Sequence, residues 1–372
     1  MTDFPVRSDE PEPSDSPVQA NGPASSGSGA PPRVSVVMPF ADAAAYLPGA
    51  LAGLAALRYP DLRFILVDDG SADGSAELAA EWAAARDDAS VVTMPERGGV
   101  AAARDAGVAA ADGEYVWFCD ADDEWDPQIV ARLAEAAPAD LVCCRAVRHE
   151  AGGRVQVMEG VVRDARLDSG ELAEALLSGL VRGYLWNKLI RREVLAAAIA
   201  DAAARDRLSS QDDFLLMLDI ARHARSAVLI PFIGYRYLER PGSISTGSAL
   251  RLANTAACAE AALEELPPRL PARRSGAPVT AAGFRTWFHL VPCLATPVHQ
   301  KWPGGEVARV HGELLPELTL RGLADAWRMG HRRVAVHGLA LKVLGPAGAY
   351  PAAYRVLRAG IDGLAKLPVM GR

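Results

Sequence analysis

At 372 residues, half of them hydrophobic, the chain can bury one large core or two modest ones, and its formal net charge of -7 argues against a general nucleic-acid surface. The five cysteines (Cys119, Cys143, Cys144, Cys258 and Cys293) lie mostly in apolar surroundings and show no zinc-ligand spacing, which fits a reducing cytoplasm. No apolar run approaches the roughly 20 residues that span a bilayer, and the amino terminus lacks a signal peptide's basic and apolar regions, so the expected location is cytoplasmic.

Residues 1–32 are rich in Pro, Ser, Gly and acid, with little to bury, and are expected to form a disordered tail. Order is predicted to begin with the strand Val34-Ser35-Val36-Val37-Met38, stopped by Pro39. Leu47, Leu51, Leu54 and Leu57 then recur at helical spacing. A second strand, Phe64-Ile65-Leu66-Val67, ends in Asp68-Asp69-Gly70-Ser71 and leads into a helix through Leu78 and Trp82, capped near Asp73 or Ser75. Val91 to Met94 form a third strand, and an alanine-rich helix from Gly98-Gly99 to Gly107 follows. Tyr115 to Cys119 read as a buried strand that ends in the acidic run Asp120-Ala121-Asp122-Asp123-Glu124. A helix after Pro127 and a short strand, Leu141 to Cys144, complete the series. Alternating strands and helices imply an α/β fold with a mostly parallel, doubly wound sheet.

Ligands of such sheets bind at the carboxyl edge of the strands, where Asp68, Asp69, Asp120 and Asp122 are all expected. The first turn has no Gly-x-Gly-x-x-Gly, and the chain has no Gly-x-x-x-x-Gly-Lys-Ser/Thr. A dinucleotide dehydrogenase and a common NTPase loop are therefore disfavoured. Carboxylates crowded at one mouth repel each other unless a cation or hydrogen-bond donors intervene. Two readings of Asp120-x-Asp122 follow: a site for Mg²⁺ or Mn²⁺ shared with substrate phosphates, or a solvated turn ahead of the next helix.

Four blocks in order then carry a resemblance. They are Val34 to Pro39, Ile65 to Ser75 (Ile-Leu-Val-Asp-Asp-Gly-Ser-Ala-Asp-Gly-Ser), Gly98 to Gly107 with Arg104, and Gly113 to Asp123. Over roughly residues 33–248 the chain resembles a family 2 glycosyltransferase of the GT-A fold. The resemblance implies a nucleotide-sugar donor, usually of UDP, held near Pro39 and by a carboxylate of Asp68-Asp69, with Arg104 facing the diphosphate. It further implies that Asp120 binds ribose and Asp122 binds Mg²⁺ or Mn²⁺. The usual Pro-x-aromatic-Asn stretch reads Pro39-Phe40-Ala41-Asp42 here, so the ring position is Ala41; either Phe40 substitutes from the neighbouring position or the base pocket is looser or tuned to another nucleotide.

Leu185-Trp186-Asn187-Lys188-Leu189-Ile190-Arg191-Arg192 resembles the family's Trp-x-Lys-Leu segment, and Ser210-Gln211-Asp212-Asp213 its Gly-Glu-Asp block, which puts Asp213 on the position of the catalytic base, beside Asp212. In an inverting transfer such a base takes the acceptor's proton. The same Asp212-Asp213 pair also suits helix N-terminal capping. Arg240 and Ser243 follow in a segment that either reaches the diphosphate or forms an exposed turn. Residues 249–372 are expected to form a helical region. From Arg321 to Arg372 nine Lys or Arg face two Asp, interleaved with apolar residues; this suits either an anionic membrane surface or a solvated helical cap. The expected activity is metal-assisted, inverting transfer of a sugar to a glycan, lipid-linked or wall-polymer acceptor. The alternatives are a nucleotide-sugar-binding protein that has lost turnover and a sugar nucleotidyltransferase.

Overall fold

Seven residues with a single hydroxyl among them, Val34–Phe40, form strand β1, and all seven are buried, as a strand covered on both faces must be. In the computed structural model, which describes residues 30–150, 153–158, 163–202, 212–240, 249–264, 269–270, 278–300, 302–345 and 349–350, β1 is the axis of the molecule. The chain continues through α1 (Leu47–Ala55), β2 (Leu62–Asp68), α2 (Ser75–Ala84), β3 (Ala89–Thr93), α3 (Gly99–Ala110) and β4 (Tyr115–Phe118). β2 and β4 both pair with β1 in parallel, and β3 extends the parallel run beyond β2. The chain therefore winds outward to β3 and returns to the far side of β1. That reversal opens a crevice at the carboxyl ends of β1 and β4, the place where an open α/β sheet takes its ligand.

Beyond β4 the pattern changes. The next elements are β5 (Glu124–Trp125), α4 (Ile129–Ala134), β6 (Leu141–His149), β7 (Val155–Val157), β8 (Ala165–Asp168), α5 (Ser169–Leu177), β9 (Lys188–Arg191), α6 (Arg192–Ala202), α7 (Asp212–His223) and β10 (Ser226–Leu238). The sheet runs β3-β2-β1-β4-β9-β6-β10-β5, with β7 on β6 and β8 on β10. β9 lies antiparallel to both neighbours, β4 and β6. The mostly parallel reading thus holds for the first half, and antiparallel β9, β7, β8 and β5 make the second half mixed.

Each predicted strand is present, with β6 running on to His149 rather than stopping at Cys144. Leu47, Leu51 and Leu54 form the buried face of α1, and Leu57 lies just past its end. α2 starts differently from expectation: Gly74, at φ +89°, is the N-cap residue and Ser75 is the first helical residue. Asp73 instead accepts hydrogen bonds from the Ala44 and Ser75 amides, tying the turn before α1 to the start of α2. α3 lies so close on the sheet that a Cβ at Gly107 would come within 2.3 Å of Val37 Cγ1. Only glycine fits there.

The remaining described elements are α8 (Ala249–Glu264), the short pair β11 (Arg269–Leu270) and β12 (Val279–Thr280), α9 (Ala281–Phe284), a π-helical turn (Arg285–Leu290), α10 (Val291–His299), α11 (Gly304–Leu314), α12 (Leu320–Arg328) and α13 (Arg332–Leu344). Cys258, Ala259, Ala262, Phe284, Trp287, Ala326 and Met329 share one apolar core with α5 and α7. The Phe214 ring lies 5.9 Å from Phe284 and 4.7 Å from Phe288, and Trp287 Nε1 donates to the Leu177 carbonyl at 3.0 Å. Among the described residues no helix is long and apolar enough to cross a membrane. The expected tail up to residue 29, the boundary near 248, Ser210, Gln211, Ser243 and the segment 351–372 lie outside the described residues.

Candidate active site

The acidic turn leaves β4 where the chain emerges from the core, and a column of aromatic rings fixes its backbone. Tyr235 of β10 stacks on Trp186 at 4.4 Å, and Trp186 on Tyr184 at 4.9 Å; Trp125 lies on the other side of Tyr235 at 6.3 Å. Trp117 Nε1 donates to the Trp186 carbonyl, and the Asp120 amide donates to the Tyr235 hydroxyl at 3.0 Å. Of these rings only Trp117, within Tyr115 to Cys119, and Trp186, within the Trp-x-Lys-Leu segment, belong to motifs of the sequence. Their stacking joins strands distant in the chain, and no local pattern announces it.

Each carboxylate of the turn has its own surroundings. Asp120 Oδ1 accepts from Arg104 Nη2 at 3.1 Å. The Asp122 side chain is 42% exposed, and its Oδ2 lies 3.6 Å from Arg240 Nε. Asp123 is buried, accepting from the Leu238 amide through Oδ1 at 2.8 Å, while its buried Oδ2 meets no partner in hydrogen-bond geometry among the described residues. Burial, and then the charge of Asp120, push the Asp122 carboxyl up despite the opposing influence of Arg240. The same two causes hold the Asp123 carboxyl well above its usual range; the Leu238 amide and, more weakly, the Tyr235 hydroxyl oppose them. Asp120 is thus paired with Arg104, and Asp122 lies against Arg240.

Arg104 is the node of the site. It rises from the buried face of α3, is 5% exposed, and donates Nη1 to Asp213 Oδ1 as well as Nη2 to Asp120. Burial opposes its charge, and the carboxylates of Asp213 and Asp120 overcome that cost and hold it protonated. A guanidinium suits this bridging because its fork reaches two acceptors in one plane. Arg104 was expected to face a diphosphate. The structure gives it two protein carboxylates and brings Asp213, 93 positions along the chain from Asp120, to the mouth of β4. Asp213 stands in the first turn of α7, where the helix dipole also favours a carboxylate. Asp212 begins the same helix; its side chain lies outside the described residues.

Asp68 and Asp69 part company. Asp69, buried, accepts from the amides of Gly98 and Gly99 at 2.6 and 2.9 Å, so its carboxylate anchors the start of α3. Asp68, also buried, accepts from the Ser71 amide at 3.0 Å and so closes its turn. Pro39 pairs with Val67 inside the sheet, and Phe40 is 5% exposed and packed in the core, so its ring is not presented to the crevice in place of the missing one at Ala41. Asp42 pairs with Arg97, whose Nε donates to the Asp69 carbonyl.

An exposed aromatic face beside Asp122 is Tyr46, which the sequence reading did not single out. Arg240 lies over its ring at 4.0 Å and donates Nε and Nη2 to the Asp122 carbonyl. Tyr46, Gly49, Asp122, Glu124, Trp125 and Arg240 line an open cleft of about 480 Å³, within the size range of sites that take small organic ligands. Among the described residues no three His, Cys, Asp or Glu converge as a metal site. The donor set nevertheless suits a hard cation that draws its other ligands from phosphate and water: a half-exposed carboxylate whose carboxyl is raised by burial and by the charge of Asp120, with a carboxylate oxygen on the adjacent residue that has no hydrogen-bond partner among the described residues.

Residues 35–197 match the model of glycosyl transferase family 2. A Bacillus subtilis (strain 168) protein named as a glycosyltransferase, EpsH, is 30% identical over 211 residues, covering 55% of this chain and 60% of its own. The cholesterol galactosyltransferase of Borreliella burgdorferi is 27% identical over 227 residues, covering 58% and 62%. The chain thus spans about three fifths of the length of these curated relatives. The structure of residues 1–349 of S. aureus TarS in complex with UDP-GlcNAc superposes with a TM-score of 0.57 at 17% identity, over 88% of this chain and 92% of that one. That likeness extends the shared fold into the helical region.

Proposed function

We propose, from the match of residues 35–197 to glycosyl transferase family 2, that this chain is a glycosyltransferase that moves a sugar from a nucleotide-sugar donor, a UDP-sugar in the first instance, to a glycan or lipid-linked acceptor with inversion. The observation that carries the reading is the pair of ion pairs from buried Arg104, which unites Asp120 at the end of β4 with Asp213 at the start of α7 across the crevice. Such a pair separates two tasks, holding the donor and accepting a proton, while fixing the distance between them. Relatives support the substrate class: TarS was solved with UDP-GlcNAc, and a similar Borreliella protein is named for transfer to a sterol.

In this reading Asp213 accepts the acceptor hydroxyl's proton as that oxygen attacks the anomeric carbon. Arg104 aims the Asp213 carboxylate. Asp120, its backbone pinned by Tyr235, receives the donor ribose. Asp68 and the backbone near Pro39 line the base side. Asp69 acts through the fold, by anchoring α3. Asp122, with Asp120 near it, would hold Mg²⁺ or Mn²⁺, which when bound neutralises charge on the departing nucleoside diphosphate. Arg240, stacked on Tyr46 beside Asp122, supplies a further positive group for the donor.

The test is a panel of sugar nucleotides incubated with the chain and Mn²⁺, reading nucleoside diphosphate release with and without candidate glycan and lipid-linked acceptors. Donor-specific release is expected. Binding of donors with no release under any condition supports instead a binding protein of the same fold, and pyrophosphate formation from a nucleoside triphosphate and a sugar phosphate supports a nucleotidyltransferase.

A further inference from the structure

α12 and α13 form a helical hairpin turned at Gly330. Its inner face is apolar and close-packed: Leu323, Ala326, Met329, Ala335 and Leu341 are buried, and Gly338 lets Leu323 approach the facing backbone. The outer face is apolar too. Leu320, Trp327, Leu339, Val343 and Leu344 are between 37% and 72% exposed, and they make up five of the eleven large apolar side chains found exposed among the described residues. Such residues scattered singly mean little, but here they fall within 25 residues of sequence on two packed helices.

Charge distinguishes this face from an ordinary apolar patch. Arg321, Arg328, Arg332, Arg333 and Lys342 are exposed around it. The only acid between 320 and 344 is Asp325, which is buried, accepts from Thr280 Oγ1 and pairs with Arg328. Arg321, Arg332, Arg333 and Lys342 have no carboxylate within ion-pair distance among the described residues. Arg332 lies 5.8 Å from the Trp327 ring, so the aromatic and the cation are presented together. This surface belongs to a chain with a net charge of -7, and the sequence beyond it adds Arg355, Arg358, Lys366 and Arg372 against Asp362 alone.

We propose that the outer face of the α12–α13 hairpin docks on an anionic lipid bilayer, lying in the plane of the interface. An amphipathic surface with aromatic and aliphatic side chains ringed by Lys and Arg gains from both apolar insertion and attraction to acidic headgroups. Tryptophan favours the boundary itself, with its ring in the apolar layer and its N–H in the wet one. A protein partner or a second copy of the chain is the competing occupant. The cationic rim favours the bilayer, since a second copy would set these same cations against each other across a two-fold contact.

The experiment uses the full chain and needs no donor, so its outcome is separable from that of the proposed transfer. Vesicles of phosphatidylglycerol mixed with phosphatidylcholine are compared with phosphatidylcholine alone by co-sedimentation across a salt series. Fluorescence quenching by lipids brominated in the acyl chain is measured on the wild type and on Trp327→Phe. Binding to the anionic vesicles is expected, falling as salt rises, with a quenched component that Trp327→Phe loses. The triple reversal Arg321→Glu, Arg332→Glu, Arg333→Glu should reduce partitioning about a hundred-fold or more, at roughly 1 kcal/mol for each basic residue near the surface. These side chains are exposed, so the reversal should leave thermal unfolding unchanged; should it not, the wild-type salt series and the Trp327 quenching decide alone. No binding, equal binding to neutral vesicles, or quenching that survives Trp327→Phe overturns the proposal. So does a concentration-dependent dimer of the wild type, seen by light scattering, that the triple reversal dissolves.

Discussion

The mouth of the sheet and the helical hairpin at the far end of the chain handle charge in opposite ways. At the mouth, Arg104 is almost fully buried and paired with two carboxylates, and burial and the charge of Asp120 raise the carboxyls of Asp122 and Asp123. On the hairpin four cations face water with no carboxylate beside them among the described residues. A buried charge must be answered within the fold, because leaving water costs several kcal/mol for each ion. An exposed one needs no internal answer, so its partner can come from outside. The mouth is therefore built to hold small charged groups in fixed geometry, and the hairpin to meet an extended surface.

Five substitutions or conditions sharpen that contrast. The largest effect should come from the seam between the regions. Trp287→Ala removes a buried ring, its stack on His331 at 4.2 Å and its hydrogen bond to Leu177, and should cost about 3–5 kcal/mol in urea unfolding. A loss under about 1 kcal/mol would mean that the helical region contributes little to the stability of the sheet. Asp213→Asn should lower transfer about 10²-fold or more, with donor affinity by calorimetry nearly unchanged. If transfer survives in that variant and collapses in Asp212→Asn, the base is the neighbouring residue.

The seam should also weaken in acid. His331 is half-buried against Trp287, and its Nε2 lies 2.8 Å from the Ser178 carbonyl. Burial, with a smaller push from Arg182, brings its value down from 6.5 to about 4, while the Ser178 bond opposes them. As pH falls through 6.5 the unfolded chain takes the proton first, so this contribution is complete above about 6.5 and is lost progressively down to about 4. Allowing for solvent screening of a half-buried ring, it amounts to about 2 kcal/mol. In His331→Gln the slope of stability against pH in that window should flatten; an unchanged slope assigns the acid sensitivity to other groups.

At the mouth, Asp122→Ala should lower UDP affinity in the presence of Mn²⁺ about tenfold or more and remove its dependence on the metal. Unchanged affinity and metal dependence in a folded variant would remove Asp122 from the metal site. The smallest effect is expected of Asp123→Asn, which keeps an acceptor for the Leu238 amide but deletes a buried charge. Without metal, stability should rise by about 1 kcal/mol. A fall of similar size would mean that the Asp123 charge is already compensated.

The sequence by itself determined the strands of the parallel half, because a strand covered on both faces must be apolar along its length and is legible as a run: Val34 to Met38 and Tyr115 to Cys119 read this way without help. It also determined that acid would stand at strand ends, since Asp68 and Asp69 follow Phe64 to Val67 directly and Asp120 follows Tyr115 to Cys119. Which carboxylate does what was decided by the tertiary structure. Asp69 is spent on the Gly98 and Gly99 amides, and Phe40 turns inward although it neighbours the expected ring position. The antiparallel insertion of β9 between β4 and β6 was equally invisible, because strand direction is set by partners elsewhere in the chain. So was the bridge from Arg104 to Asp213, along with the stack of Trp186, Tyr235 and Trp125 that holds the acidic turn. Sequence patterning records how each segment meets apolar surroundings, which is a local property. A buried ion pair or a ring stack joins residues whose separation along the chain carries no periodicity, and only the closed fold brings them together.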